Sequence, residues 1–275
     1  MRATTATLSA RPPAKRYRDR VSASQGEAAH PDRHAIRIEV AVMLAVTFGV
    51  SALVAVLRLA DAVLSGLPGY RVRLNPDRSH YDLINLGLNL VSVGQLVAWG
   101  LLALYLLWRS GIRPAGIGLG RLRPLPDTLG GIGLAALIGL PGLLLYLAAR
   151  ALGLNAEVEA SGLHDSWWRI PVLVLAAFAN GFAEEVVVVG YLITRLRQLG
   201  LSPSKAVLAS SLLRGIYHLY QGFGAGLGNV AMGLIFGYAW CRTGRLWPLV
   251  IAHGIIDAVA YVGYALLAGH LDWLR

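Results

Sequence analysis

The sequence predicts an all-α, polytopic integral membrane protein of about seven transmembrane helices, and three observations lead there. Hydrophobic residues fill 56% of the 275 positions and charged residues only 15%, against about a quarter in soluble domains. Mean hydropathy is +0.56. The charges fall between long apolar runs instead of alternating with them, and about 20 apolar residues cross roughly 30 Å of hydrocarbon as a helix. A closed barrel, the other way to span a bilayer, needs alternating segments of about ten residues. None is visible.

Residues 1–35 are polar, carry Pro12, Pro13 and Pro31, and hold no apolar stretch. They read as a disordered basic tail without the apolar region of a signal peptide. Residues 36–126 form a first unit. A span over 36–59 is followed by a polar loop at 66–81 and a second span over 82–108. Asn85, Asn89, Ser92 and Gln95 in that second span are expected to hydrogen-bond between helices. A basic loop at 109–126 then follows. Its Gly116, Gly118 and Gly120 imitate a phosphate-binding loop, but no strand precedes them, so a turn is expected.

Residues 127–275 form the core. The third span covers 127–149. An acidic loop with Glu157, Glu159 and Asp165 leads to Trp167 and Trp168, an expected interfacial anchor. The fourth span runs over 170–195. Ser202 and Pro203 open the fifth, to about residue 221, as a cap followed by a first-turn proline. Gly222, Gly224, Gly226 and Gly228 read as a short turn, the sixth span ends near 240, and the seventh covers 247–268.

Net charge is +10. No nucleic-acid motif accompanies it, and most of the basic residues fall in the tail and the loops after spans two, four and six. By the positive-inside rule the N-terminus is cytoplasmic and the C-terminus outside. The basic residues are almost all arginine, a bias that suits a GC-rich bacterium and hence its inner membrane. The single cysteine, Cys241, excludes a disulfide within the chain and a cysteine metal cluster. Oligomeric state cannot be read from the sequence.

An ionisable residue inside a span costs about 2.5–3.5 kcal/mol on insertion scales, so each needs a reason. Glu184, Glu185, Arg214, His218, His253 and Asp257 occupy only the fourth, fifth and seventh spans. Arg214 and His218 are four apart and share a helix face, as do His253 and Asp257. Glu184 and Glu185 diverge by about 100°, so they serve different ends. Carboxylate, imidazole and an acidic group meeting in low dielectric can activate water and hold an oxyanion. Buried ion pairs that fix helix register are the plainer reading. His80, His164 and His270 lie in loops or at the terminus and are expected to be solvated; His30 and His34 belong to the tail.

At these residues the chain resembles the CPBP family, which comprises the CAAX prenyl endopeptidases and bacteriocin-processing (Abi-like) intramembrane proteases. Asn180 to Glu185 with Gly190-Tyr191-Leu192 looks like its first motif, Tyr217-His218-Leu219 its second, and His253 to Asp257 its third. Gly228 to Gly237 is similar to its penultimate core helix, and the likeness covers roughly residues 127–268. The resemblance implies an intramembrane endopeptidase, glutamic or metallo-type, acting on a membrane-associated peptide or protein in contact with lipid. Glu184 would activate water with His218 assisting, His253 and Asp257 would stabilise the oxyanion, and Glu185 would support them. The family usually has Arg four residues after the second Glu, where this chain has Val189. It usually has Phe four before the second-motif His, where this chain has Arg214. Arg214 is therefore expected to replace the missing charge and to meet Glu185 or Glu184. The alternative is an inactive member.

No cofactor is required by this reading. Zinc, if present, would use Glu184, His218 and His253; these sit on three helices without the His pair one turn apart of many zinc proteases, which favours metal-free water activation. The His-Glu-x-x-His, Gly-x-Ser-x-Gly and Gly-x-Gly-Asp signatures of other intramembrane proteases are absent. A proton-coupled transporter using the same groups as a relay is the functional rival. It would call for inverted repeats and paired broken helices, and none is seen. A catalytically inactive membrane scaffold is the third reading.

Overall fold

The computed structural model describes residues 32–267. The expected disorder of residues 1–31, the C-terminal orientation, His30 and His270 lie outside the described residues. The described chain is helical throughout its spans, in the order α1 (Arg33–Val46), α2 (Phe48–Ser65), α3 (Asp82–Arg109), α4 (Pro124–Ala151), α5 (Arg169–Gln198), α6 (Pro203–Tyr217), α7 (Phe223–Thr243) and α8 (Trp247–Leu267). Five of them, α2, α3, α4, α5 and α8, are long and apolar enough to cross a membrane. Large apolar side chains face outward, among them Leu64, Val91 and Leu144, a surface suited to lipid. The segments expected as spans five and six are α6 and α7. With 15 residues, α6 reaches only about 22 Å.

The first expected span is two helices. Asp32 caps α1 by accepting from the His34 amide at 2.8 Å, so residues 33–35 are helical and not tail. The ladder breaks at Thr47, whose hydroxyl donates to the Met43 carbonyl at 2.7 Å. The turn is so tight that a Cβ on Gly49 would lie 2.7 Å from the Leu44 carbonyl oxygen.

Beyond the break, α1 docks on the far end of α5. Glu39 accepts from Arg195 Nε at 2.8 Å and Nη2 at 3.1 Å, and from the Tyr191 hydroxyl at 2.9 Å. Arg195 is fully buried and also donates to the Leu106 carbonyl. Removing one partner of a buried pair costs about 3–5 kcal/mol. The Glu39 side chain is 25% exposed, which places Glu39→Ala near the low end, about 3 kcal/mol, measurable by detergent-titration unfolding; a neutral effect would mean α1 is not held this way.

The loops after α2 and α4 meet in a two-stranded parallel sheet that the sequence reading missed, β1 (Arg71–Arg73) with β2 (Glu157–Glu159). Register puts Arg71 opposite Glu157 and Arg73 opposite Glu159, and the Arg73 Nε lies 2.5 Å from Glu159. A second clasp lies beside it. His164, expected to be solvated, places Nδ1 2.9 Å from Asp77 and Nε2 3.0 Å from Asp82. Trp168 is buried, with its indole N–H donating to Asp82 at 2.8 Å, so only Trp167 is placed to anchor at an interface. Asn85 spends its side chain on the same loop, donating to Asp77 and accepting from the Arg78 amide. Ser92 bonds within its own helix. The expected interhelical bonding at these two positions is corrected accordingly.

The hydrogen bond to Asp77 and then that to Asp82 raise the His164 pKa above its ordinary 6.5. A raised folded-state pKa stabilises fully below the unfolded value and is lost as pH rises through the folded one. The clasp is thus expected to weaken above neutral pH, and His164→Ala should flatten that arm of the melting-temperature profile. An unchanged profile would contradict it.

The central element is α5. Of its spanning window 67% is buried, against 11–28% in the other four. Packed on it are α8, by the largest contact, and α3, while α6 and α7 pair with each other. Glycines permit these crossings: a Cβ on Gly254 would meet the Phe178 ring at 2.4 Å, and one on Gly233 would meet the Ser211 Cα at 2.9 Å. Gly224, Gly226 and Gly228 lie inside the first turns of α7. Only Gly222 is the turn, with φ 116°.

Candidate active site

Glu184 and Glu185 occupy the middle of α5, where its backbone changes. Residues Arg169–Glu184 are α-helical and Glu185–Ile193 are π-helical. Such widened turns are rare and concentrate at functional sites. Four valines in a row, Val186 to Val189, fill the core here. The Ser210 hydroxyl of α6 donates to the Val188 carbonyl at 2.6 Å. One turn earlier, Gly181 lets α8 close in: a Cβ there would meet the Gly254 amide at 2.9 Å and the His253 Cβ at 3.2 Å.

Glu185 is fully buried. Its Oε1 accepts from Arg214 Nη2 at 2.5 Å and faces His253 Nδ1 at 2.8 Å. Arg214, also fully buried, lies with Nη1 3.6 Å from Glu184 Oε2. One guanidinium therefore spans both carboxylates, in a setting where a charge-assisted pair is strong and an unpaired charge costly. Its other face lies over Phe236 of α7, 5.7 Å from the ring centroid, and the same ring stands edge-on to His253.

Glu184 is 3% exposed. Its Oε2 accepts from the Tyr217 hydroxyl at 2.5 Å and its Oε1 from Asn180 at 3.2 Å. Asn180 also donates to Asp257 at 2.9 Å. Asp257 accepts from Tyr261 at 3.3 Å and lies 3.6 Å from His253 Nε2. A continuous polar network thus joins α5, α6 and α8, and it contains Glu184, Glu185, Arg214, His253 and Asp257. His218 enters it indirectly. It caps α6, which ends at Tyr217 and not near residue 221, and Leu219–Gln221 is a three-ten turn. Its Nδ1 lies 3.0 Å from the Arg214 carbonyl, so that nitrogen carries the proton and Nε2 is left basic. Its ring packs on Tyr217 with centroids 4.7 Å apart.

Asn180, Tyr217 and Tyr261 were missed as site residues although two of them stand inside the motifs. Helical spacing could have found two of them: Asn180 is four before Glu184, and Tyr261 is four after Asp257, each on the face of its neighbour; Tyr217 reaches Glu184 from another helix.

The expected zinc set is Glu184, His218 and His253. Arg214 places a fixed positive charge against both carboxylates, and Glu185 already faces Nδ1 of His253. Among the described residues no group of three or more His, Cys, Asp or Glu is arranged to hold an ion.

Fold and site together define an all-α membrane protein with a buried carboxylate–guanidinium–imidazole cluster. Compared with known protein families, residues 166–259 match the family described as type II CAAX prenyl endopeptidase Rce1-like. The matched segment holds all three motifs, and over it the resemblance to the CPBP proteases is shown. That family is a protease family, which supports an endopeptidase. No curated protein and no solved structure matches the chain.

Proposed function

We propose that this protein is an intramembrane endopeptidase that hydrolyses a peptide bond of a membrane-associated substrate with water activated by Glu184. The observation that carries the reading is the division of labour between the adjacent glutamates. Glu185 is committed to Arg214 and His253. Glu184 is hydrogen-bonded only by the neutral donors Tyr217 and Asn180, while Arg214 gives its hydrogen bond to Glu185 and stands 3.6 Å from Glu184, near enough to hold the carboxylate ionised without occupying it.

In the reaction Glu184 takes a proton from water as the hydroxide adds to the scissile carbonyl carbon. The tetrahedral oxyanion receives hydrogen bonds from the imidazole side of the site. His253 can donate there from Nε2 when its ring carries both protons, since Nδ1 faces Glu185. Asp257, an acceptor when ionised, steadies Asn180 and His253 and cannot itself donate to the oxyanion in that form. This refines the role that the resemblance implies for it. The proton then passes to the departing amine as the C–N bond breaks. His218, with Nε2 basic, assists the transfer.

The test is cleavage of a tagged single-span peptide by purified protein in lipid nanodiscs, wild type against Glu184→Ala. Fragments from the wild type alone support the reading, and equal cleavage by the variant overturns it. Metal-free activation predicts that EDTA and phenanthroline leave the rate unchanged. Loss of activity with recovery on zinc addition would contradict it.

A further inference from the structure

A groove of about 510 Å³ opens beside α2, lined by Val50, Val54 and Arg58 of that helix, by β1, and by Tyr217 and Tyr220. The volume lies in the range of small-ligand sites. Tyr217 is its link to the chemistry, because the hydroxyl of this groove-lining residue bonds Glu184.

Two of the groove's three arginines are paired with carboxylates, and Asp61, on the same helix as Arg58, accepts from the groove-lining Tyr70 at 2.9 Å. Arg71 lies 3.4 Å from Glu157, and Arg73 2.5 Å from Glu159. Arg58 is exposed, stands in the apolar helix α2, and has no hydrogen-bond or carboxylate partner among the described residues. An arginine in a spanning segment is retained where it meets an anion or a water-filled cavity. Its planar fork matches a carboxylate in two parallel hydrogen bonds.

The groove also offers backbone. The Tyr70 carbonyl and the Leu74 amide are spent on β2, so by strand alternation Arg71 and Arg73 turn their amides and carbonyls to the other edge of β1. No strand pairs with that edge among the described residues. A free edge of this kind accepts an extended peptide. A lipid tail has no use for it.

Resting on the proposed peptidase reading, we infer that this groove binds an extended segment of the substrate beside the scissile bond and selects an acidic residue in it through Arg58. The preferred substrates are peptides with Asp or Glu on the β1 side of the cleaved bond.

Binding separates this inference from the activity. A dye-labelled ten-residue peptide with a central Asp pair, and its Asn counterpart, are titrated by fluorescence anisotropy into full-length protein in phosphatidylcholine nanodiscs. Wild type and Glu184→Gln should both bind the Asp peptide about tenfold tighter than the Asn peptide. Arg58→Gln should lose that preference and Arg58→Lys keep part of it. Equal binding of the two peptides, or a preference that survives Arg58→Gln, overturns the inference. So does loss of the preference in phosphatidylglycerol nanodiscs together with Arg58-dependent retention of that lipid, which makes the groove a headgroup site. An Asp preference in a protein that cleaves nothing leaves the groove standing and overturns the peptidase reading alone.

Discussion

Glu184→Gln is expected to lower kcat/KM by about two to four orders of magnitude, the contribution of a positioned general base, while leaving the fold intact. Glutamine keeps the shape, and its one carbonyl oxygen can still accept from Tyr217 or from Asn180, which address different oxygens of the carboxylate, but it cannot take a proton from water. The Arg214–Glu185–His253 linkage does not depend on Glu184, so helical content and thermal unfolding should match the wild type. Activity retained within about tenfold would remove Glu184 from the role of base. Unfolding would instead place it among the structural ion pairs.

Arg214→Phe should have the larger effect on stability, because it removes the only guanidinium that contacts Glu185 among the described residues. It restores the aromatic residue usual in the resembling family but leaves the buried Glu185 with His253 as its remaining partner among the described residues, a defect of up to about 3–5 kcal/mol, and activity should fall with it. Arg214→Lys keeps the charge and loses the fork, so it should retain stability better than rate. Adding Val189→Arg to Arg214→Phe returns a guanidinium to α5, four residues after Glu185, and should recover part of both. Folding and cleavage assays on the four proteins check this. A double mutant no better than Arg214→Phe would show that position 189 cannot reach the carboxylates from within the π-helical turn.

Much of the site was legible because ionisable residues stand out inside apolar runs. The spacing of Arg214 and His218, and of His253 and Asp257, puts each pair on one helix face. The loss of the family's arginine at Val189 and the gain of one at position 214 pointed to the Arg214–Glu185 contact seen at 2.5 Å. What escaped depends on tertiary context. Nothing local in four consecutive valines distinguishes a π-helical turn from an α-helical one; its carbonyls find partners such as Ser210 only once α6 has packed. Thr47 is a tolerated helix residue, and its break appears only with the tight approach of Gly49 to Leu44. Strands of three residues, β1 and β2, carry too little alternation to read and pair across two whole helices, α3 and α4. His164 looked solvated because Asp77 and Asp82 lie some eighty residues away in sequence.

The most direct test of the central claim is the mass of the products formed when purified wild-type protein in nanodiscs acts on a tagged single-span peptide in water enriched in oxygen-18. Hydrolysis at this site predicts two complementary fragments, with one heavy oxygen in the new carboxylate, and none from Glu184→Gln. Intact peptide after prolonged incubation, or labelled fragments at equal yield from the variant, would contradict the account.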